Sequence, residues 1–503
     1  MAQLFASDLH IPLFDFLSAD KTLIKNTLKL IASSKLESLK NLVNNQSNDY
    51  ILSITYLQHL DSNIQSKYKN GSWTEINAIW EQLKENWVED ILDYFKDLFK
   101  AELMVPNIKS NELSRATSVF EYMNKGGTPL DTFDIMVAKY AQVGETQTLY
   151  DKLDDILTQN IIIPKAMSEK DEEITYSCDR LGIYTNEVLS KTIKELFLNF
   201  LSLSTQADIT KIDLAYIKKE HILSLKKQEI EVSINTAGKA LSRGLAFLQF
   251  RCGIHNINNL SYTLMLIPIG LLLSDDNIWN DQFKINKLEF WYWTALFSGR
   301  FREKQNLRAV KEPIELYNWL IKGEISHDIL SRKEAVFSES NYSDENTLLL
   351  ENEDKTVPSA IYNGLLQYVL SNCPNDFVNE ISKLIPWEIS KNGINVQDHH
   401  IIPLGSVTTL GESSKFLRSN KQNILNSPLN RTYISQKANQ EISSMSIDRY
   451  IPLLNKAINY SHCLPIDNIK SIKTDESFYR DFIRNRFIQI KTTLLQELSK
   501  LEG

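Results

Sequence analysis

Cysteine is scarce: the four in 503 residues, at 178, 252, 373 and 463, lie far apart and show no paired spacing. That excludes a disulfide framework and a zinc knuckle, and it fits a reducing compartment. Long apolar runs are missing as well. The most apolar window, Leu264 to Leu273, is too short to span a bilayer and contains Pro268, so a buried helix is predicted there. The first residues, MAQLFASDLHIPLFDFL, lack a basic region followed by an apolar core, so no signal peptide is expected and the cytoplasm is the expected location. No glycine loop for a nucleotide phosphate is found. In "AGKALS" no glycine precedes Gly238 at the required distance, and no Ser or Thr directly follows Lys239. A net charge of −8 gives no global attraction to nucleic acid, so DNA contact would have to come from local basic surface.

What is present reads mostly as helix. Trp73, Ile76, Trp80, Leu83, Trp87, Ile91, Phe95 and Leu98 recur at steps of three and four, behind a capping-box start at Ser72 and Glu75. These tryptophans are read as core packing. Helical patterning resumes from about Asn186 to Leu320. The stretch Phe337 to Ser359 is polar, acidic and poorly periodic, and is read as a linker or exposed loop. A last helix follows Pro465, with Phe482, Phe487, Ile490 and Leu494 on its apolar side and Arg480, Arg484 and Arg486 read as a solvated face, with DNA contact as the lesser alternative.

Histidine is also infrequent, with eight in the chain, yet "VQDHHIIPL" places His399 and His400 side by side at the end of a strand-like run. Downstream, "RTYIS", Arg431 to Ser435, has the β-branched and aromatic content of a strand, and Ser435 can cap a helix through "QKANQEI". Strand, loop, strand, helix is the order of a ββα-metal nuclease unit. Adjacent strand residues point to opposite faces, so two neighbouring histidines can serve different tasks.

"DHHIIP", "NRTYIS" and "ANQEIS" together resemble the HNH nuclease motif in the version found at the C-terminus of GmrSD-type and SspE-type restriction and phage-defence proteins. The resemblance implies a general base in His400, a metal ligand in His399, a second ligand in Asn439 and a loop-bracing residue in Asn430. Asp398 is a further candidate ligand or an imidazole partner. The distance from His400 to Asn430 implies an insertion around Leu410 to Ser419. Phosphodiester hydrolysis needs a base for water and a cation for the charge developing on phosphate, with Mg²⁺ or Mn²⁺ expected. Between Ser413 and Gln440 there is no Asp or Glu, and Lys415, Arg418, Lys421, Arg431 and Lys437 are candidate DNA contacts.

A second likeness spans Ala116 to Tyr140. Phe120, Asn124, Gly127 and Leu130 match a segment of the ParB-like nucleotide-hydrolysing domain of GmrSD-type proteins, and Asn124 and Gly127 mark a remnant nucleotide-domain loop. A plain turn at Gly126 and Gly127 explains it equally, with Asp131 in the first helical turn. "FWYWTALFSGRF", Phe290 to Phe301, resembles a helical segment between the two domains of those proteins, so the likeness runs from about Asn111 to Tyr450. The acidic and glutamine-arginine motifs of the nucleotide chemistry are absent, so intrinsic NTPase activity is not expected and a partner subunit supplying it is.

The predicted architecture is mainly α and multi-domain. It comprises an N-terminal helical region at 1–150, a helical middle domain at 151–336, a linker at 337–359, a nuclease domain at 360–465 with its ββα core at about 394–445, and a C-terminal helix at 466–503. The expected activity is a metal-dependent HNH DNA endonuclease of a bacterial anti-phage or modified-DNA restriction system. Its partners would be DNA, modified phage DNA included, and a second protein, with no membrane. The alternatives are a non-catalytic DNA- or partner-binding subunit and an RNA-directed nuclease.

Overall fold

The computed structural model describes residues 131–141, 147–339, 343–377, 383–408, 413–466 and 472–503. The chain divides into two compact units, Met1–Ile108 and Lys109–Gly503, and every described residue belongs to the second. The tryptophan stripe, Asn124 and Gly127 lie outside the described residues.

The fold is mainly α, and the sheets among the described residues are two-stranded. Helix α1 (Thr132–Tyr140) starts one residue later than expected: Asp131 is its N-cap, accepting from Asp134 N at 2.8 Å. Helix α2 (Leu149–Thr158) follows, then the hairpin β1 (Ile161–Ile163) with β2 (Ile174–Tyr176), and the small ribbon β3 (Tyr184–Thr185) with β4 (Val188–Leu189). The centre of the body is α4 (Lys227–Arg251), packed on α3 (Lys191–Leu203) and α5 (Leu266–Leu273). Helix α5 is the apolar window of the sequence, buried as predicted, with Pro268 tolerated in its first turn. A Cβ at Gly270 would stand 2.6 Å from the Ala240 carbonyl, so glycine is what lets α5 lie against the α4 backbone.

Helix α6 (Gln282–Phe297) carries the aromatic run and is buried nearly all round, Trp291 and Trp293 completely. Helices α7 (Gln305–Tyr317) and α8 (His327–Ala335) flank it. Among the described residues no helix is long and apolar enough to cross a membrane.

The segment read as a linker or exposed loop divides in two: Glu351 and 353–356 are exposed as expected, whereas much of 343–350 is packed. Phe337, Leu348 and Leu349 are buried, Ser343 Oγ donates to Phe297 O at 2.9 Å, and Asp344 caps a short turn by accepting from Thr347 N. Ser343 and Asp344 are used in turn chemistry, which a composition reading takes for solvent exposure. No boundary therefore separates body from site. Helix α9 (Ser359–Ser371) touches α4 and α6, and Gly253 (φ +68 is found at Gly182, +64 here) lets the end of α4 approach the Gln367 carbonyl, where a Cβ would come within 2.0 Å. The final helix α12 (Glu476–Leu501) packs on α6 at one end and under Pro428–Asn430 at the other.

Candidate active site

Strand β5 (Val396–His400) pairs antiparallel with β6 (Arg431–Ser435), His399 opposite Thr432 and His400 opposite Arg431. Helix α11 (Gln436–Ile442) follows directly, capped as predicted by Ser435, whose Oγ accepts from Ala438 N at 3.1 Å. Buried Asp376 fixes that corner by accepting from Ser435 N at 3.0 Å and from the Ser435 hydroxyl. The insertion contains helix α10 (Ser414–Ser419).

The strand alternation separates two faces. On one, His399 is 4% exposed and its Nδ1 lies 2.7 Å from Asn439 Oδ1, while Asn439 Nδ2 donates to Gln397 Oε1 at 2.5 Å. The other ring nitrogen, Nε2, is buried without a hydrogen-bond partner among the described residues. Burial, foremost, pulls the His399 pKa down to about 4, so the ring is neutral with a lone pair available. A neutral imidazole offers one lone pair, so there are two arrangements: Nδ1–H donates to Asn439 Oδ1 and the lone pair sits on Nε2, or Nε2 carries the proton and Nδ1 and Oδ1, spaced like donors on adjacent corners of a small dication (roughly 2.9 Å), share one ion. The second arrangement fits a divalent cation.

On the opposite face His400 is half-buried, and the Arg431 guanidinium stands 2.5 Å from both ring nitrogens. Burial first, then Arg431, His399 and Arg418, hold the His400 pKa down to about 3, while the Asn426 side-chain oxygen, as an acceptor for the ring, acts the other way. Arg431 also pairs with Asp398, Nε to Oδ1 at 2.7 Å, and Tyr362 of α9 donates to the same carboxylate at 2.6 Å. Two expectations are corrected here. Asp398 faces away from the His399–Asn439 pair and its carboxylate is occupied, so it is not placed as a metal ligand. Arg431 is held inside the site, not presented to solvent as a phosphate contact. Lys415, Arg418, Lys421 and Lys437 are exposed.

Asn430 is fully buried. Its Oδ1 accepts from Ile402 N at 2.8 Å, and its Nδ2 donates to Ile402 O at 3.2 Å and Leu425 O at 2.9 Å. It thus clamps the loop that leaves His400. Arg486, expected on a solvated face, is completely buried and has no carboxylate partner among the described residues. It donates to the carbonyls of Leu429 (2.6 Å), Arg431 (2.8 Å) and His462, bracing the backbone on both sides of Asn430. Its place was detectable: residue 486 falls four positions after Phe482 and four before Ile490, on the apolar stripe itself. Nothing in the sequence pointed to Gln397, Tyr362 or Asn426.

A second group of acids, Glu312, Glu315 and Asp328, is close enough to hold an ion. Its geometry argues against that. Glu312 already accepts from Arg332 (2.7 and 3.1 Å), Arg300 (2.8 Å) and Trp291 Nε1 (2.8 Å), and Arg332 also binds Asp328. Guanidinium groups fill the place a cation would take, making this an ion-pair hub between α6, α7 and α8.

No protein-family model matches the chain. It is similar to the uncharacterised protein MJ0686 of Methanocaldococcus jannaschii, 22% identical over 446 residues that cover 83% of this chain and 68% of the archaeal one.

Proposed function

We propose that the protein is a metal-dependent endonuclease that hydrolyses phosphodiester bonds in DNA. The observation that carries the reading is the pairing of His399 with Asn439 at 2.7 Å, beside a buried unpartnered imidazole nitrogen, on a strand whose next residue is a second neutral histidine. His399 and Asn439 would hold the cation, which when bound supplies Lewis-acid stabilisation of charge on the phosphate and leaving oxygen. His400 would accept a proton from the attacking water, which requires Arg431 to move off the ring, since burial and that guanidinium hold the pKa down to about 3. Asn430 keeps the loop after His400 in place. Lys415, Arg418, Lys421 and Lys437 hold backbone phosphates without reading sequence.

The same reading assigns the chain to a bacterial anti-phage or modified-DNA restriction system in the cytoplasm, working with a second subunit that hydrolyses nucleotide. The support is the resemblance of "DHHIIP", "NRTYIS" and "ANQEIS" to GmrSD-type and SspE-type proteins. The test is supercoiled-plasmid nicking with Mg²⁺ or Mn²⁺, in parallel with an RNA substrate. His400→Ala should abolish nicking while the thermal unfolding curve stays in place; full cleavage by that variant overturns the proposal. A second reading, a DNA-binding subunit without catalysis, is favoured by one contact, the Arg431 guanidinium set against His400. In that case wild-type protein binds plasmid and leaves it intact with either ion.

A further inference from the structure

The insertion between the two strands carries a feature that the hydrolysis itself does not use. Helix α10 exposes Phe416 to 79%, among the most exposed large apolar side chains described, while the next residue, Leu417, packs against the core. A single exposed ring is ordinary on a protein surface. This one has particular neighbours. Lys415 adjoins it, Arg418 and Lys421 follow within five residues, all three are exposed, and among the described residues none is in an ion pair. No acidic residue occurs from Ser413 to Gln440. An apolar ring among exposed cations suits a polyanion that also offers flat apolar faces, and duplex DNA is such a partner.

The helix also lies near the candidate base. Asn426 Nδ2 donates to Leu417 O at 2.7 Å and Asn420 O at 2.8 Å, closing the C-terminal end of α10, and both Asn426 and Arg418 are close enough to His400 to influence its protonation. Ser413 starts the helix by accepting from Lys415 N, and Gln422 anchors the following turn on Glu353 O at 3.2 Å.

We propose that α10 is a DNA-wedging element, in which the Phe416 ring inserts against a base step next to the phosphate presented to His400, with Lys415, Arg418 and Lys421 on the flanking phosphates. The inference deepens the endonuclease reading and rests on it for the role of His400. Apolar side chains that enter a base step cost a few kcal/mol in unstacking and regain contact area on the distorted duplex. Stacking of a base on an aromatic ring is worth about 1–3 kcal/mol, so its loss weakens binding by about 5- to 150-fold.

The experiment uses the full chain in EDTA, a set of duplexes with 2-aminopurine at successive positions, and the variants Phe416→Ala and Phe416→Trp. Wild type and Phe416→Trp should both change 2-aminopurine emission at one or two adjacent positions. Phe416→Ala should bind about 5- to 150-fold more weakly with that signal lost and the salt dependence of binding kept, since the cations remain. Equal affinity and an equal signal for Phe416→Ala, or no duplex binding by the wild type, overturns the wedge. Cleavage with Mn²⁺ is scored separately. Phe416-dependent binding without cleavage leaves the wedge standing and removes the hydrolase reading; cleavage that is indifferent to Phe416→Ala does the reverse.

Discussion

Asn430 and His399 make opposite demands on the chain. Asn430 satisfies three buried backbone groups at once, so Asn430→Ala leaves Ile402 N, Ile402 O and Leu425 O without partners. Each such loss costs about 1–3 kcal/mol, partly relieved by relaxation, so urea unfolding should register a loss of about 3 kcal/mol. His399 instead keeps one nitrogen unpaired in the interior. Replacing it by Ala should lower Mn²⁺ affinity at least about tenfold, as titration calorimetry would read. Retained affinity would locate the ion elsewhere. Both residues belong to motif letters that the sequence displays openly, and Asn430 is buried in hydrogen bonds to the backbone of the loop after His400. Asp398 and Arg431 were misread for one physical reason: a strand's alternation and a cross-strand ion pair decide where a charged side chain goes, and spacing alone does not reveal which partner claims it.

Among the elements, the strand, strand and helix order was legible because β-branched residues, a capping serine and short apolar runs all agree from Val396 to Ile442. The packed segment 343–350 was not, since its serine and aspartate read as solvent-facing until their hydrogen bonds are seen. Arg486 shows how elements depend on each other. Burial lowers its pKa to about 10, which leaves it cationic at neutral pH and donating to carbonyls flanking β6. Arg486→Met keeps the bulk and removes the donors. The expected cost is about 3 kcal/mol, less than the carbonyl losses summed, because burying a guanidinium is itself unfavourable. Hydrogen exchange should accelerate at β6 amides while α4 amides keep their protection; uniform acceleration would indicate a global effect instead.

In the described unit as a whole, body and site share one core, so the expected division at 337–359 is not a place to cut. A fragment of residues 360–503 leaves α12 without α6 and should be insoluble or molten by near-ultraviolet circular dichroism; a cooperatively folding fragment would contradict this. A second property of the whole is its response to pH. Burial raises Glu289 from 4.5 to about 7, although Arg251 at 2.6 Å opposes the shift. The folded state holds that proton more tightly than the unfolded one. The stability this supplies is present in full below about 4.5 and disappears as pH rises through about 7. Glu289→Gln should flatten the fall in melting temperature between pH 5 and 8 relative to wild type, in steps of roughly that window; parallel curves would assign the dependence to other groups.

The bracing by Arg486 has a bearing on how the protein is made. Chains emerge from the ribosome N-terminus first, and the paired strands are complete many residues before residue 486 appears. The hairpin must wait for its guanidinium clamp, so a half-synthesised chain holds both histidines without the scaffold that sets them.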